Sequence, residues 1–199
     1  MHAVGPKTKH DIRSEATRRG LTAAARRLFG DRGYAAVGTE EIVHAAGVTR
    51  GALYHHFRDK SDLFATVAET VEAEVTAQIA ERTLTGAAGP VEALRLAARM
   101  FLELCAEPEI ERILLVDAPA VLGWAAWREL GERYGFGLVQ STLQAAMDTG
   151  AIGRQPVVAL AHALVGALQE CALSTAAAVD PAAARADCIE VLDRLIGSL

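Results

Sequence analysis

Arg50 is the residue whose position is hardest to explain by folding alone. It stands in the segment Thr49-Arg50-Gly51, at the start of a short predicted helix. The partial positive charge at a helix N-terminus disfavours a cation there, so helix stability does not account for this arginine. A guanidinium in this place can instead form a bidentate contact with guanine or with a phosphate. The alternative is a solvated arginine without a specific role, and the residue alone does not decide between the two.

Two short helices are predicted on either side of Gly47, which permits a sharp turn. Thr39 is a good N-cap for the first helix, and Thr49 is a good N-cap for the second, which runs to about Phe57. The first helix turns apolar residues inward: Ile42, Val43 and Ala46. Two such helices form a helix-turn-helix, in which the second helix enters the major groove of DNA with its N-terminal end towards the base edges.

Metal and catalytic chemistry have little support in this sequence. The adjacent His55 and His56 would point about 100° apart on a helix, so a shared metal ion is not expected. Cys105, Cys171 and Cys188 are odd in number and lack C-x-x-C spacing, which indicates small buried hydrophobic residues in a reducing cytosol. No nucleophile elbow or phosphate-binding glycine loop is present. We therefore expect no metal, no cofactor and no enzymatic activity, and an enzyme within the C-terminal helices remains the alternative.

The charge of the chain is divided unevenly along its length. The net charge is −5, yet residues 1–60 carry 11 Lys and Arg against six Asp and Glu. Residues 61–199 carry nine basic residues against 19 acidic ones. This asymmetry predicts a small basic module that contacts phosphates, attached to an acidic body that does not. The alternative is a chance fluctuation in surface charge.

The composition favours an all-α protein. Ala and Leu, both strong helix formers, occur throughout, and the apolar residues follow helical rather than alternating periods. The segment T-G-A-A-G-P at 85–90 is the clearest predicted loop. Besides the two short helices, we predict helices at about residues 13–30, 62–83, 91–105, 109–116, 124–147, 157–178 and 182–196.

Neither membrane insertion nor secretion is expected. No segment approaches the roughly 18 consecutive apolar residues of a membrane span. Residues 1–11 are polar and lack the apolar stretch of a signal peptide. We therefore expect a cytoplasmic protein that does not bind membranes.

Residues 47–63, reading GVTRGALYHHFRDKSDL, closely resemble the signature of the TetR (tetracycline repressor) family. Upstream, the segment AARRLF at 24–29, Gly33-Tyr34, Thr39 and Ile42 match the first two helices of the same family. The resemblance covers about residues 14–70, and it is specific because seventeen consecutive positions agree. The rest of the chain matches only in length and helical character.

The resemblance implies a role for each matching residue. Thr39 would contact the DNA backbone, while Thr49, Arg50 and Gly51 would face the bases. Tyr54 and His55 would reach phosphates or base edges, and Lys60 would bind a phosphate at the head of the next helix. Leu53 and Phe57 would lie in the core. Glu40 departs from relatives that place a basic DNA contact there, so the third helix would carry most operator contacts.

The resemblance also implies an N-terminal three-helix helix-turn-helix DNA-binding domain at 12–60 and a helical ligand-binding and dimerisation domain at 61–199. Apolar stripes on the last two helices are candidates for a dimer interface, with packing inside one subunit as the alternative: Leu160, Ala163, Leu164, Ala167, Leu168, Cys171, Ile189, Leu192, Leu195 and Ile196. The candidate ligand-binding residues are aromatic or polar side chains among apolar neighbours: Phe101, Cys105, Trp124, Trp127, Tyr134, His162 and Gln169. The two tryptophans could stack on a planar ligand or pack the core.

The predicted function is that of a sequence-specific, DNA-binding transcriptional regulator. As the resemblance implies, it would be a homodimeric repressor released from a palindromic operator by a small-molecule effector. A ligand-independent DNA-binding protein and an activator are the alternatives left open.

Overall fold

The computed structural model describes residues 9–199, and side chains from residue 12 onward. All regular secondary structure in this range is helical, which confirms the predicted all-α class. The polar segment 1–11, whose sequence argued against a signal peptide, lies largely outside the described residues. The α-helices are α1 (Lys9–Arg32), α2 (Thr39–Ala46), α3 (Arg50–His56), α4 (Lys60–Gly86), α5 (Pro90–Cys105), α6 (Pro108–Ile110), α7 (Ala118–Leu122), α8 (Trp124–Gly131), α9 (Gly137–Asp148), α10 (Val157–Ala176) and α11 (Pro181–Gly197).

The chain divides into two compact units, an N-terminal unit of Met1–Ala68 and a C-terminal unit of Glu69–Leu199. The N-terminal unit contains α1 to α3 and the start of α4 around a small, tightly packed core. Leu53 and Phe57 are buried in that core, as predicted. The rings of Phe29, Tyr34 and Phe64 pack on one another with centroids 5.2–5.6 Å apart, which holds α1 against the first turns of α4.

The turns that position α3 follow from the local sequence. Gly47 has a φ of 66°, and its amide donates to the carbonyls of Val43 and His44, which ends α2 in a left-handed cap. The Thr49 hydroxyl accepts from the Ala52 amide at 3.3 Å, so the predicted N-cap of α3 is confirmed. Thr39 was wrongly predicted as the N-cap of α2. It is the first residue of that helix, and Gly38 occupies the cap position without a side-chain hydrogen bond.

Reciprocal carboxylate contacts cap the start of α4. Asp59 accepts from the Asp62 amide at 2.8 Å, and Asp62 accepts from the Arg58 amide at 3.0 Å. These bonds satisfy amides at the helix start, so α4 begins at Lys60 rather than at the predicted residue 62. At its other end, α4 continues to Gly86, which shortens the predicted loop to residues 87–89.

The core of the C-terminal unit lies between α5, α9, α10 and α11. Its buried residues form one cluster: Leu94, Ala98, Leu143, Ala146, Met147, Ile152, Ala161, Leu164 and Ile196. α10 is 20 residues long, and an 18-residue window within it has a mean hydropathy of 1.5, so this helix is long and apolar enough to cross a membrane by length and composition. Its apolar residues are interrupted by His162, Gln169 and Glu170, so the expectation that no membrane span is present stays a prediction. Because α10 packs on α5, α9 and α11, we interpret its apolar character as that of a packing helix.

Two π-helical segments interrupt the long helical stretches, π1 (Glu111–Asp117) and π2 (Glu132–Phe136). Pro119 follows π1 and has no amide hydrogen for the carbonyl four residues earlier, which favours a shift in the hydrogen-bond pattern. The Trp127 indole donates to the carbonyl of Leu114 in π1 at 2.8 Å. The helical periodicity of the sequence did not predict these two π-helical segments. Such π turns are frequent at functional sites, and residues of both segments line the cavity described below.

Candidate DNA-binding surface and effector cavity

The N-terminal end of α3 presents polar side chains to solvent. Thr49, Arg50 and Gly51 are exposed, and Tyr54 and His55 lie on the same outward side of the short helix, also exposed. Thr39 is half-buried at the start of α2. The structure therefore brings five of the seven predicted DNA-binding residues together on one exposed helix and its cap. We call these five residues the α3 surface.

Arg50 is engaged by two neighbours on this surface. Its guanidinium donates to Glu40 Oε1 at 2.9 Å, and its Cζ atom lies 5.6 Å from the centre of the Tyr54 ring. Hydrogen bonding to Tyr54 and the charge of Glu40 raise the pKa of Arg50 above its ordinary value, so the side chain stays cationic. The side chains of Arg50 and Glu40 remain 63% and 67% exposed, so the pair is accessible to a ligand.

His55 and His56 differ in environment although they are adjacent. His55 is exposed, whereas His56 is half-buried. Burial, followed by the charges of His55 and Arg18, lowers the pKa of His56, which favours its neutral form. Among the described residues, no group of three or more His, Cys, Asp or Glu side chains could hold a metal ion.

The Lys60 side chain is more enclosed than that of a lysine that is free to bind a phosphate would be. Its ammonium donates to the carbonyls of Tyr34 and Val37, both at 3.0 Å. It also lies 3.9 Å from the centre of the Tyr34 ring, in cation–π geometry. Lys60 therefore ties the start of α4 to the turn between α1 and α2, and one of its three donor hydrogens is left for another partner.

The turn that carries α2 is braced by an arginine. Arg32 donates to the Ala36 carbonyl at 2.7 Å and forms a salt bridge with Glu41 in the first turn of α2. The hydrogen bond from Arg32 lowers the pKa of Glu41. Of the two acidic residues that open α2, Glu41 thus contacts the turn, and Glu40 contacts α3.

A cavity of about 90 Å³ lies within the C-terminal unit, between α4, α5, π1, α8, π2, α9, α10 and α11. Four of the seven predicted ligand-binding residues line it: Phe101, Cys105, Trp127 and Gln169. The amide of Gln169 packs so closely over Gly131 that a Cβ at this glycine would lie 2.8 Å from its nitrogen. We call this space the effector cavity.

The other three predicted ligand-binding residues are placed elsewhere. Trp124 is 57% exposed and packs beside Trp127, with ring centroids 4.9 Å apart. Tyr134 donates from its hydroxyl to Glu69 at 2.9 Å. His162 is exposed and stacks on Phe136 at 4.5 Å between ring centroids. None of the three is among the residues that line the cavity.

Sequence reasoning missed Glu72 and Thr76, which line the cavity from α4. The signal was present, because Glu72 lies four residues after Ala68 and three before Val75, both buried. A carboxylate at that spacing interrupts the apolar stripe of the helix. Burial raises the pKa of Glu72 to about 7.

The cysteines are buried unequally. Cys105 is buried on the wall of the cavity, as predicted, and burial raises the pKa of its thiol. Cys171 and Cys188 are only partly buried, which corrects the expectation that all three are buried. Burial and a hydrogen bond between the two thiols raise the pKa of Cys171 to about 11, so the thiol stays protonated at neutral pH.

Both units match known protein families. Residues 21–67 match the model described as bacterial regulatory proteins, tetR family, and residues 91–199 match the tetracyclin repressor-like C-terminal domain. A crystal structure of a TetR-family transcriptional regulator from Pectobacterium atrosepticum is 35% identical, with a TM-score of 0.84 and 95% of each chain covered.

Two curated relatives match over shorter stretches. The HTH-type transcriptional regulator AcrR of Shigella flexneri is 37% identical over 55% of this chain and 50% of AcrR. The HTH-type transcriptional repressor Rv1474c of Mycobacterium tuberculosis is 36% identical over 60% of this chain and 62% of the relative. The chain thus spans about half to three fifths of the length of these two relatives.

Proposed function

The chain belongs to the TetR family of bacterial regulatory proteins, and on that premise we propose that it is a dimeric transcriptional repressor released from DNA by a small molecule. Its N-terminal unit binds a two-fold operator in the bacterial cytoplasm. Its C-terminal unit forms the dimer and holds the effector.

The observation that carries this proposal is the exposed N-terminal end of α3. Thr49, Arg50 and Gly51 stand on the first turn of a helix that follows a turn at Gly47, with no other described segment covering them. In a helix-turn-helix this end reads base edges. Arg50 contacts guanine, and Tyr54 and His55 contact phosphates or bases one turn further along α3.

The charge distribution supports the same assignment. The basic excess of residues 1–60 supplies attraction for phosphates, whereas the acidic excess of residues 61–199 does not. Lys60 contributes mainly by fixing the start of α4, with its remaining hydrogen available to a phosphate. Thr39, at the start of α2, contacts the backbone from the preceding helix.

A second copy of this chain covers the outer faces of α10 and α11. Only 17% of an 18-residue apolar window of α10 is buried within one subunit. Its outward stripe consists of Val158, Ala159, His162, Ala163 and Gly166. Val191 and Leu195 are about half exposed on α11. Small outward residues allow two helices to approach closely, as a four-helix dimer interface requires.

The effector binds in the cavity and acts through α4. This helix begins at Lys60 in the N-terminal unit, and further along it contributes Glu72, Thr76 and Ile79 to the cavity wall. A movement of the turns of α4 that line the cavity is therefore transmitted along one continuous helix to the first turn of α4. The effector releases DNA only if it binds the released conformation more tightly than the DNA-bound one.

Selection from random-sequence DNA tests the proposal. The purified protein should enrich a palindrome at near-physiological salt, and Arg50→Ala should lose it. Arg154→Ala, an exposed arginine of the C-terminal unit, is the matched control and should retain the palindrome. Enrichment of no sequence, with only salt-sensitive general binding, would remove the repressor assignment.

A further inference from the structure

The effector cavity has a one-sided charge. Its wall is apolar except for Thr76, Cys105, Gln169 and Glu72. Glu72 is the one carboxyl group among the lining residues, and no Lys, Arg or His lines the cavity. A ligand that carries a negative charge would therefore meet a carboxylate and no compensating cation.

Glu72 has no hydrogen-bond or salt-bridge partner among the side chains described from residue 12 onward. The arginine of π2 is engaged elsewhere, because Arg133 donates to Glu69 at 3.1 Å and to Glu129 at 3.2 Å. Tyr134 also gives its hydroxyl hydrogen to Glu69. Glu69, one turn earlier on α4, thus accepts from both Arg133 and Tyr134, and Glu72 accepts from neither.

The charge of Glu72 acts on two titratable groups that carry no positive charge to balance it. They are the Cys105 thiol from α5 and the Tyr134 phenol from π2, and the carboxylate of Glu72 contributes to raising the pKa of both. Burial is the cause that raises the pKa of Glu72 itself to about 7. A carboxylate in this setting lacks a counter-charge, and burying it without one is costly.

We propose that the effector of this chain is a hydrophobic amine, whose apolar body fills the cavity and whose protonated nitrogen pairs with the Glu72 carboxylate. The inference rests on the proposed function in taking this cavity as the effector site. Thr76, one turn after Glu72 on α4, and Gln169 on α10 offer oxygens to the remaining N–H groups of the ammonium. Phe101 and Trp127 contact the apolar body.

Three probes with one apolar body and different head groups test the inference: 4-phenylbutylamine, 4-phenylbutanol and 4-phenylbutyrate. Binding to the full chain without DNA is followed by calorimetry and by the fluorescence of the cavity residue Trp127 at pH 8. The amine should bind about tenfold more tightly than the alcohol, since a charge-assisted pair replaces a neutral contact, and the carboxylate should bind most weakly. Glu72→Gln should weaken amine binding about tenfold and leave alcohol binding unchanged. Glu81→Gln, on the exposed side of the same helix, should leave both unchanged.

The pH dependence provides a second readout. Amine affinity should rise between pH 6 and 8 as Glu72 ionises, and in Glu72→Gln it should not. Preference for the alcohol or the carboxylate, an amine affinity that Glu72→Gln leaves unchanged, or binding of none of the three would overturn the inference. Because these assays contain no DNA, they can fail while operator binding succeeds. Conversely, amine binding without operator binding would reject the repressor assignment and keep the amine site.

Discussion

The Arg50 guanidinium lies 2.9 Å from the Glu40 carboxylate, which joins the first turn of α2 to the first turn of α3. Glu40 is thus the nearest anion to the residue that we propose to read bases. The sequence showed Glu40 only as a departure from relatives with a basic DNA contact there, and the structure adds its contact with Arg50. When DNA binds, its phosphates and guanine bases would compete with the Glu40 carboxylate for the Arg50 guanidinium. The pair therefore opposes binding to phosphates in general.

Glu40→Gln should raise affinity for random-sequence DNA more than affinity for the operator. The substitution removes a negative charge from the α3 surface and frees Arg50 from its ion pair, while an exposed pair changes affinity by about fivefold at most. The ratio of operator to random-DNA affinity should fall, as measured by titration of both DNAs over a range of salt concentrations. Glu190→Gln, which disrupts an exposed pair with Arg194 on α11, is the control. An unchanged ratio would show that Glu40 has no part in discrimination.

The main effect of Lys60→Met should be a lower stability of the N-terminal unit rather than weaker phosphate binding. The substitution leaves the carbonyls of Tyr34 and Val37 without their donor and removes the cation over the Tyr34 ring. Hydrogen bonds to a charged group contribute about 1.5–3 kcal/mol each, so we expect the midpoint of urea unfolding to fall clearly. Lys60→Arg should recover part of the loss. Normal stability with a reduced salt slope of DNA binding would instead assign Lys60 to a phosphate.

Local signals in the sequence were sufficient for most of the helix-turn-helix. Gly47 and Thr49 act through neighbours within a few residues, and the four-residue spacing of Leu53 and Phe57 places both on one face of the helix. Lys60 was different, because its contacts are with carbonyls 23 and 26 residues earlier. A pattern that compares residues three or four apart does not register such contacts.

The cavity was less predictable because its wall comes from distant segments. Phe101, Cys105, Trp127 and Gln169 were found by residue type, yet the same reasoning selected Trp124 and His162, which are exposed. Residue type does not say which face of a helix turns inward. Glu72 was not among the aromatic and polar side chains selected as candidates, although its register on α4 places it on the apolar stripe.

Leu195→Glu should convert the dimer to monomers and abolish operator binding. Leu195 is 48% exposed on α11, and a carboxylate there would be buried without a partner if a second copy covers this face. Sedimentation at several concentrations measures the oligomeric state, and a palindromic operator measures binding. Leu84→Glu replaces an apolar residue of α4 that is 85% exposed, and it should leave the dimer intact. A dimeric Leu195→Glu protein would exclude this part of α11 from the interface.

Glu72→Gln should stabilise the ligand-free protein at high pH and not at low pH. The folded pKa of about 7 exceeds the ordinary value of 4.5, so the folded protein binds the proton more tightly than the unfolded chain does. The contribution of Glu72 to stability is therefore fully present below about pH 4.5 and is lost as the pH rises to about 7. Converted at 1.36 kcal/mol per unit, the loss reaches about 3 kcal/mol at pH 8.

Urea unfolding of the wild-type and Glu72→Gln proteins between pH 4.5 and 8 measures this difference. The other carboxylates titrate in both proteins, so only the gap between the two curves reports on Glu72. The difference in the free energy of unfolding between the two proteins should increase as the pH rises. At pH 8, 4-phenylbutylamine should reduce this difference by stabilising the wild type alone. Glu81→Gln should follow the wild type throughout. A gap that stays constant with pH would mean that Glu72 is solvated in the folded protein, and the one-sided charge of the cavity would then lose its physical basis.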